Sequence, residues 1–131
     1  MCLTKFGSRK KSRYEKVCYK IFEENLTTHE ICSRFHKGFK WEVGKEYEAE
    51  RAHNGRLWYY DEVNSGYFHS YEKLEYAIDE VNNYYKNSNN AAYLVIYECA
   101  IPSDTPYYWG IHSDGHDGYA SKRLILKKLI A

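Results

Sequence analysis

One stretch of this chain leaves little choice about its surroundings. In residues 93–101, Tyr93, Val95, Tyr97, Cys99 and Ile101 fall on one face of an extended strand, and Leu94, Ile96, Glu98 and Ala100 on the other. Both rows are largely apolar, so the strand must be covered on both sides and belongs in the interior of a sheet. Pro102 has no amide hydrogen to donate and stops it. With 131 residues, the chain has room for one core of this kind.

Other segments supply its neighbours. Residues 14–24 alternate, with Val17, Tyr19 and Ile21 on one face and Cys18, Lys20 and Phe22 on the other. Residues 25–37 read either as loop or as a short helix carrying Ile31, Cys32 and Phe35. Phe39, Trp41 and Val43 alternate with Lys40 and Glu42 until Gly44, which suggests a bulge or turn before Tyr47. His53-Asn54-Gly55 predicts a hairpin joining residues 46–52 to 57–63, and Asn64-Ser65-Gly66 a further turn. A helix is predicted over 71–85, with Ser70 as N-cap and Leu74, Ala77, Ile78, Val81 and Tyr85 along one face. Residues 103–118 read as loop, and residues 119–130 as a closing strand. The sum is an α+β fold: a single compact domain over 17–131, with five or six mostly antiparallel strands around one main helix.

Charge is segregated along the chain. Residues 1–16 carry six basic residues against one acid, and residues 122–131 four basic residues and no acid, while the middle is strongly acidic; the whole nets only +1. Residues 1–16 are expected to form a basic, partly disordered arm. A domain so nearly neutral disfavours binding to duplex nucleic acid. No run of about 18 apolar residues suggests a membrane span, and no apolar stretch follows the basic arm as in a secretory signal. Cys2, Cys18, Cys32 and Cys99 form no Cys-x-x-Cys pair, so they are read as reduced thiols in a cytoplasmic protein.

Aromatic residues make up 18% of the chain, with 15 Tyr, and a small core does not absorb so many rings. A Tyr-rich sheet accounts for part of them; a contact surface that stacks on a ligand or partner accounts for the rest. The expected contact residues are Phe39, Trp41, Lys45 and Tyr47 in the first aromatic run, Phe68, His69, Ser70 and Tyr71 at the mouth of the helix, and Tyr107, Tyr108 and Trp109 in the later loop. At the helix mouth, His69, Ser70 and free amides would hold an anion while a ring stacks on it. His112, Asp114, His116 and Asp117 contain metal-ligand chemistries, but their Gly-rich loop reads as ordinary turn chemistry, and no metal or cofactor is assigned. No nucleophile elbow or phosphate loop is present, so no catalytic residue is nominated.

The run Lys37-Gly38-Phe39-Lys40-Trp41-Glu42-Val43-Gly44-Lys45-Glu46-Tyr47, followed by Gly66-Tyr67-Phe68-His69, resembles small proteins of bacteriophages, prophages and gut bacteria. Those share a Gly-Phe-x-aromatic-Glu-x-Gly-Lys-x-Tyr run and a later Gly-Phe-His; this chain has one residue more in the second element. The resemblance covers roughly residues 17–130. It implies a mobile-element origin and a non-enzymatic counter-defence role, sequestering a small anionic, nucleotide-like ligand or blocking a host defence protein. It leaves homo-oligomerisation open, and a phage structural or replication accessory role stands as a further alternative. The order of elements after Gly66 also resembles the C-terminal half of ADP-ribosyltransferase folds. That likeness implies a nucleotide-shaped cleft and argues against transferase activity; an enzyme acting on NAD or a nucleotide, with His69 and Tyr19 or Tyr119 in its site, stands as the alternative. The family's glutamate is missing, because the matching stretch reads Asp117-Gly118-Tyr119-Ala120-Ser121.

Overall fold

The computed structural model describes residues 3–25, 27–33, 40–49, 67–87 and 93–130. Ten strands are described: β1 (Leu3–Phe6), β2 (Lys10–Lys11), β3 (Lys16–Glu24), β4 (Ile31–Cys32), β5 (Glu46–Glu48), β6 (Phe68–Tyr71), β7 (Tyr93–Ile101), β8 (Pro106–His112), β9 (Asp117–Ser121) and β10 (Arg123–Leu129). One helix, α1 (Leu74–Asn87), lies between β6 and β7. All ten strands belong to one antiparallel sheet in the order β1-β8-β9-β6-β3-β7-β10-β5, with β2 beside β8 and β4 beside β3. The molecule is therefore a mostly-β domain, and the α+β reading with five or six strands is corrected.

The strand that both faces marked as interior, β7, lies between β3 and β10. Nine residue pairs zip it to β3, from Lys16–Ile101 to Glu24–Tyr93. From its odd-numbered row Val95, Tyr97, Cys99 and Ile101 join Cys18, Phe22, Trp41, Tyr47, Phe68, Tyr107, Tyr119, Leu124 and Leu126 in the main core. Ile96 of its other row, with Tyr19 and Ile21 of β3, packs under Leu74, Ala77 and Val81 of α1. The helix begins at Leu74 rather than residue 71 because the sheet claims Tyr71 first. Tyr71 pairs with both Tyr19 and Gly118, and the Glu72 amide still reaches the Asp117 carbonyl at 3.1 Å.

Three stretches differ from the sequence expectation for local reasons. The supposed loop 103–118 contains β8, whose run Tyr107-Tyr108-Trp109-Gly110-Ile111 hides the strand period because both of its rows are apolar. The single closing strand is two, β9 and β10, and the Lys122 amide at the break bonds the Pro106 carbonyl at 3.0 Å. The basic arm is sheet: β1 and β2 lie one after the other along β8, joined by the Gly7 amide on the Trp109 carbonyl. The predicted hairpin around His53-Asn54-Gly55 and the turn at Asn64-Ser65-Gly66 lie outside the described residues, as does Phe35. Where the optional short helix was expected, Thr27 and Thr28 form a turn and Ile31–Cys32 form β4; residues 34–37 lie outside the described residues.

Between β3 and β6 the ladder narrows to the one pair Tyr19–Tyr71. There the buried Lys20 ammonium donates to the His69 carbonyl at 2.7 Å, replacing a ladder bond where the strands part. On the far side of β6, Gly118 makes another close approach possible. The His112 ring crosses β9 at that glycine to bond the Ser70 carbonyl at 2.7 Å, and a Cβ on residue 118 would collide with both groups.

Candidate functional site

An open, cation-lined groove lies where the basic arm turns into β3. Ser12 is buried there and fastens the arm to the turn after β7. Its hydroxyl donates to the Pro102 carbonyl at 2.6 Å and accepts the Thr105 amide at 2.9 Å, while its backbone bonds Thr105 and Asp104. Because Ser12 is pinned, Arg13 and Tyr14 project from the turn before Lys16 enters β3. A groove of about 390 Å³ results, lined by Lys10, Lys11, Arg13, Tyr14, Lys16 and Tyr107. A second hollow beside it is bounded by Ser103 and Asp104.

The charges in this groove are largely uncompensated. Lys11 pairs with Asp104 at 3.1 Å, and Glu15 is drawn to Lys127 at 2.8 Å. Among the described residues, Lys10, Arg13 and Lys16 have no carboxylate partner. The Lys16 ammonium sits 5.6 Å from the Tyr107 ring centroid and 5.9 Å from that of Tyr119, a cation held over aromatic faces. Tyr14 is 79% exposed. The C-terminal basic segment meets the same end of the sheet through Lys127 and through Arg123, which donates to the Asp104 carbonyl at 2.9 Å. The two basic ends of the sequence thus converge, a fact their separation along the chain conceals.

Most of the expected contact residues lie elsewhere. Trp41 is buried against Phe22 and Phe68, with ring centroids 5.0 and 5.1 Å away, and Tyr47 is buried beside it at 4.4 Å. The Tyr47 hydroxyl donates to the Lys40 carbonyl and accepts the Glu42 amide. Lys45 is exposed, its ammonium 5.5 Å from the Tyr47 ring. Phe39 lies outside the described residues. Phe68, His69, Ser70 and Tyr71 form a wholly buried strand between β3 and β9 rather than the mouth of the helix, which starts at Leu74. Tyr108 is half-buried between Phe6 and Tyr67. Tyr107 forms the groove's floor, and Trp109 alone of the later aromatics is well exposed, at 45%. The pairing of His69 with Tyr119 also fails, because Tyr119 lies opposite Ser70 and the two side chains emerge on opposite faces.

A second polar cluster ties the turn between β8 and β9 to α1. The Tyr71 hydroxyl donates to the Asp114 carboxylate, and His116 Nε2 meets the Asp79 carboxylate at 2.8 Å while its ring stacks on Tyr76 at 4.7 Å. Burial and the neighbouring Asp114 push the Glu80 carboxyl up. Burial holds the His112 imidazole down at about 4. The Tyr71–Asp114 contact ties the turn to β6, and the His116–Asp79 contact clamps it to the helix. Among the described residues, no three His, Cys, Asp or Glu side chains stand where they could share an ion. Cys18 and Cys99 face each other across β3 and β7, buried, with Cys18 pushed up to about 12, which makes the pair inert packing rather than a nucleophile.

Among the described residues, no helix is long and apolar enough to cross a membrane. No family model matches the chain, and no curated protein or solved structure matches it either.

Proposed function

We propose that this chain is a non-enzymatic binding protein for a nucleotide-type ligand, whose phosphate lies among Lys10, Arg13 and Lys16 and whose base stacks on Tyr14. The observation that carries this is the groove itself, in which three cations without carboxylate partners and a largely exposed ring surround one open space. Guanidinium and ammonium groups on a phosphate provide charge-assisted hydrogen bonds, and a phenol ring offers a face to any base. Nothing in the groove is an activated nucleophile or a poised acid–base pair, so the chemistry is retention rather than turnover. The sequence resemblance to phage and prophage proteins gives this retention its setting, the sequestration of a nucleotide signal used in host defence. The alternative of blocking a host protein through tyrosines and tryptophans is less favoured, because among the described residues Trp41, Tyr47, Tyr71 and Tyr107 of the expected contact surface are buried.

Calorimetric titration of the full chain with AMP and ATP tests the reading. Both should bind, with affinity falling steeply as salt rises from about 50 to about 200 mM. The pair Arg13→Ala and Lys16→Ala should abolish binding, while Lys128→Ala, on the exposed end of β10, should not change it. Absence of binding, or binding indifferent to Arg13 and Lys16, would overturn the proposal.

A further inference from the structure

We infer that the ligand is a phosphodiester-linked pair of nucleotides, with Trp109 as the ring that receives the second base. This deepens the reading above and rests on it. The ladder between β8 and β9 runs without a shift from Tyr107–Ser121 to Ile111–Asp117, so Tyr107 and Trp109 share the face that bears the groove. Two residues along a strand put Trp109 about 7 Å beyond Tyr107. Tyr14 lies the other way. β2 runs antiparallel to β8, with Lys10 opposite Tyr107 and Lys11 opposite Pro106, so the chain has passed the start of β8 by the time it reaches Tyr14.

Between these two exposed rings stands Lys16. Its ammonium lies over Tyr107 and Tyr119, and Tyr119 is the cross-strand partner of Trp109. The order across the surface is ring, cation, ring, which matches base, phosphate, base. Trp109 is already positioned for this role, because its indole N–H donates to the Glu72 carboxylate at 3.3 Å and fixes the ring by its edge. Stacking needs the face, which that bond leaves free.

The same surroundings set the ligand's length. Asp117 stands opposite Ile111 on the groove face, and Glu72 lies at the edge of Trp109. A further phosphate beyond Trp109 would meet two carboxylates, so the track suits two nucleotides and repels a third. A free dinucleotide and the end of a longer single strand present the same chemistry here.

The test is titration of the full chain with AMP, with the linear dinucleotide pApA, and with a ten-residue single-stranded oligoadenylate. The dinucleotide should bind roughly tenfold more tightly than AMP, the gain of one stacked base. Trp109→Ala should erase that gain and leave AMP binding unchanged, while Trp109→Phe should keep most of it. Far-UV circular dichroism checks that both variants fold. If the decamer binds as well as pApA, the inference holds with a single strand as source; if it binds more weakly, it holds with a free dinucleotide. Equal affinity for AMP and pApA, or a gain that survives Trp109→Ala, overturns the inference and leaves the proposed function standing. Failure of both AMP and pApA to bind overturns both.

Discussion

Replacing His112 by glutamine should remove much of this protein's sensitivity to mild acid. The His112 side chain is 1% exposed, and its Nε2 lies 2.7 Å from the Ser70 carbonyl. A carbonyl only accepts, so Nε2 carries the hydrogen and the neutral ring keeps Nδ1 bare. Among the described residues, Nδ1 has no hydrogen-bond partner. Protonating it would place a donor, and a charge, where nothing receives them. Burial accordingly lowers the imidazole to about 4, against 6.5 for a free one, although the Ser70 carbonyl and Asp114 pull the other way and Lys20 adds to the lowering. The unfolded chain therefore takes up a proton between about pH 6.5 and 4 that the folded chain refuses. Stability from this group is complete above pH 6.5 and drains away as pH falls towards 4. At about 1.4 kcal/mol for each unit of displacement, the loss comes to about 3 kcal/mol.

Glu80 acts with the opposite sign. Its carboxyl is raised by burial and by Asp114, so folding binds that proton more tightly and acid favours the fold there. The useful quantity is thus the difference between wild type and His112→Gln, because Glu80 is common to both. Glutamine keeps an N–H for the Ser70 carbonyl and does not titrate. Urea unfolding followed by fluorescence at pH 7.5 and at pH 4 should show the wild type losing about 3 kcal/mol relative to the variant. A difference that stays flat with pH would mean that the folded protein accommodates the imidazolium, and the argument from a bare Nδ1 would fail.

Other perturbations probe the remaining contacts. Gly118→Ala drives a methyl into the His112 ring and the Ser70 carbonyl, and should lower stability by about 3 kcal/mol in denaturant melts. Phe22→Ala empties the centre of the main core and should cost about 3–5 kcal/mol by the same measurement. In a Cys2→Ser background, a thiol reagent should label the half-buried Cys32 in the native protein and reach Cys18 and Cys99 only on unfolding, which mass spectrometry of the labelled peptides reads directly. Ser12→Ala removes the hydroxyl that holds the arm to Pro102 and Thr105. It should weaken nucleotide binding and speed amide exchange at Thr105 while leaving β7 protected.

How far the sequence could be read depended on how each residue's surroundings were encoded. β3 was legible from its alternation, and β7 from an unbroken nine-residue run, largely apolar on both faces and stopped by Pro102. The helix was legible along its apolar stripe but not at its start. Ser70 has the chemistry of an N-cap, and only the pairing of Tyr71 with Tyr19 and Gly118 shows that the strand outlasts it. β8 was invisible because it is apolar on both rows yet carries Gly110, which reads as a loop residue. In the fold that glycine is needed for packing, since a Cβ there would strike the Lys5 carbonyl and Phe6 of β1. The aromatic surplus was real, but its place was misjudged. Trp41, Tyr47, Phe68, Tyr97, Tyr107 and Tyr119 lie in the main core, where edge-to-face packing lets a thin sheet absorb rings.

The groove shows why local motifs could not have located it. Its residues, Lys10, Lys11, Arg13, Tyr14 and Lys16, are consecutive or nearly so, and in sequence they look like a solvated tail. What converts them into a site is non-local: Ser12 bonding to residues 102–105, Tyr107 supplying a floor from β8, and Glu15 being occupied by Lys127 from the far end of the chain. The last contact is decisive for the electrostatics. With Glu15 engaged elsewhere, the nearest acid in sequence stops screening Arg13 and Lys16. Lys127→Ala should therefore free Glu15 to compensate them and lower nucleotide affinity, even though Lys127 does not line the groove. Unchanged affinity in that variant would show that Glu15 never competes for those cations, and the convergence of the two basic termini would then have no bearing on binding.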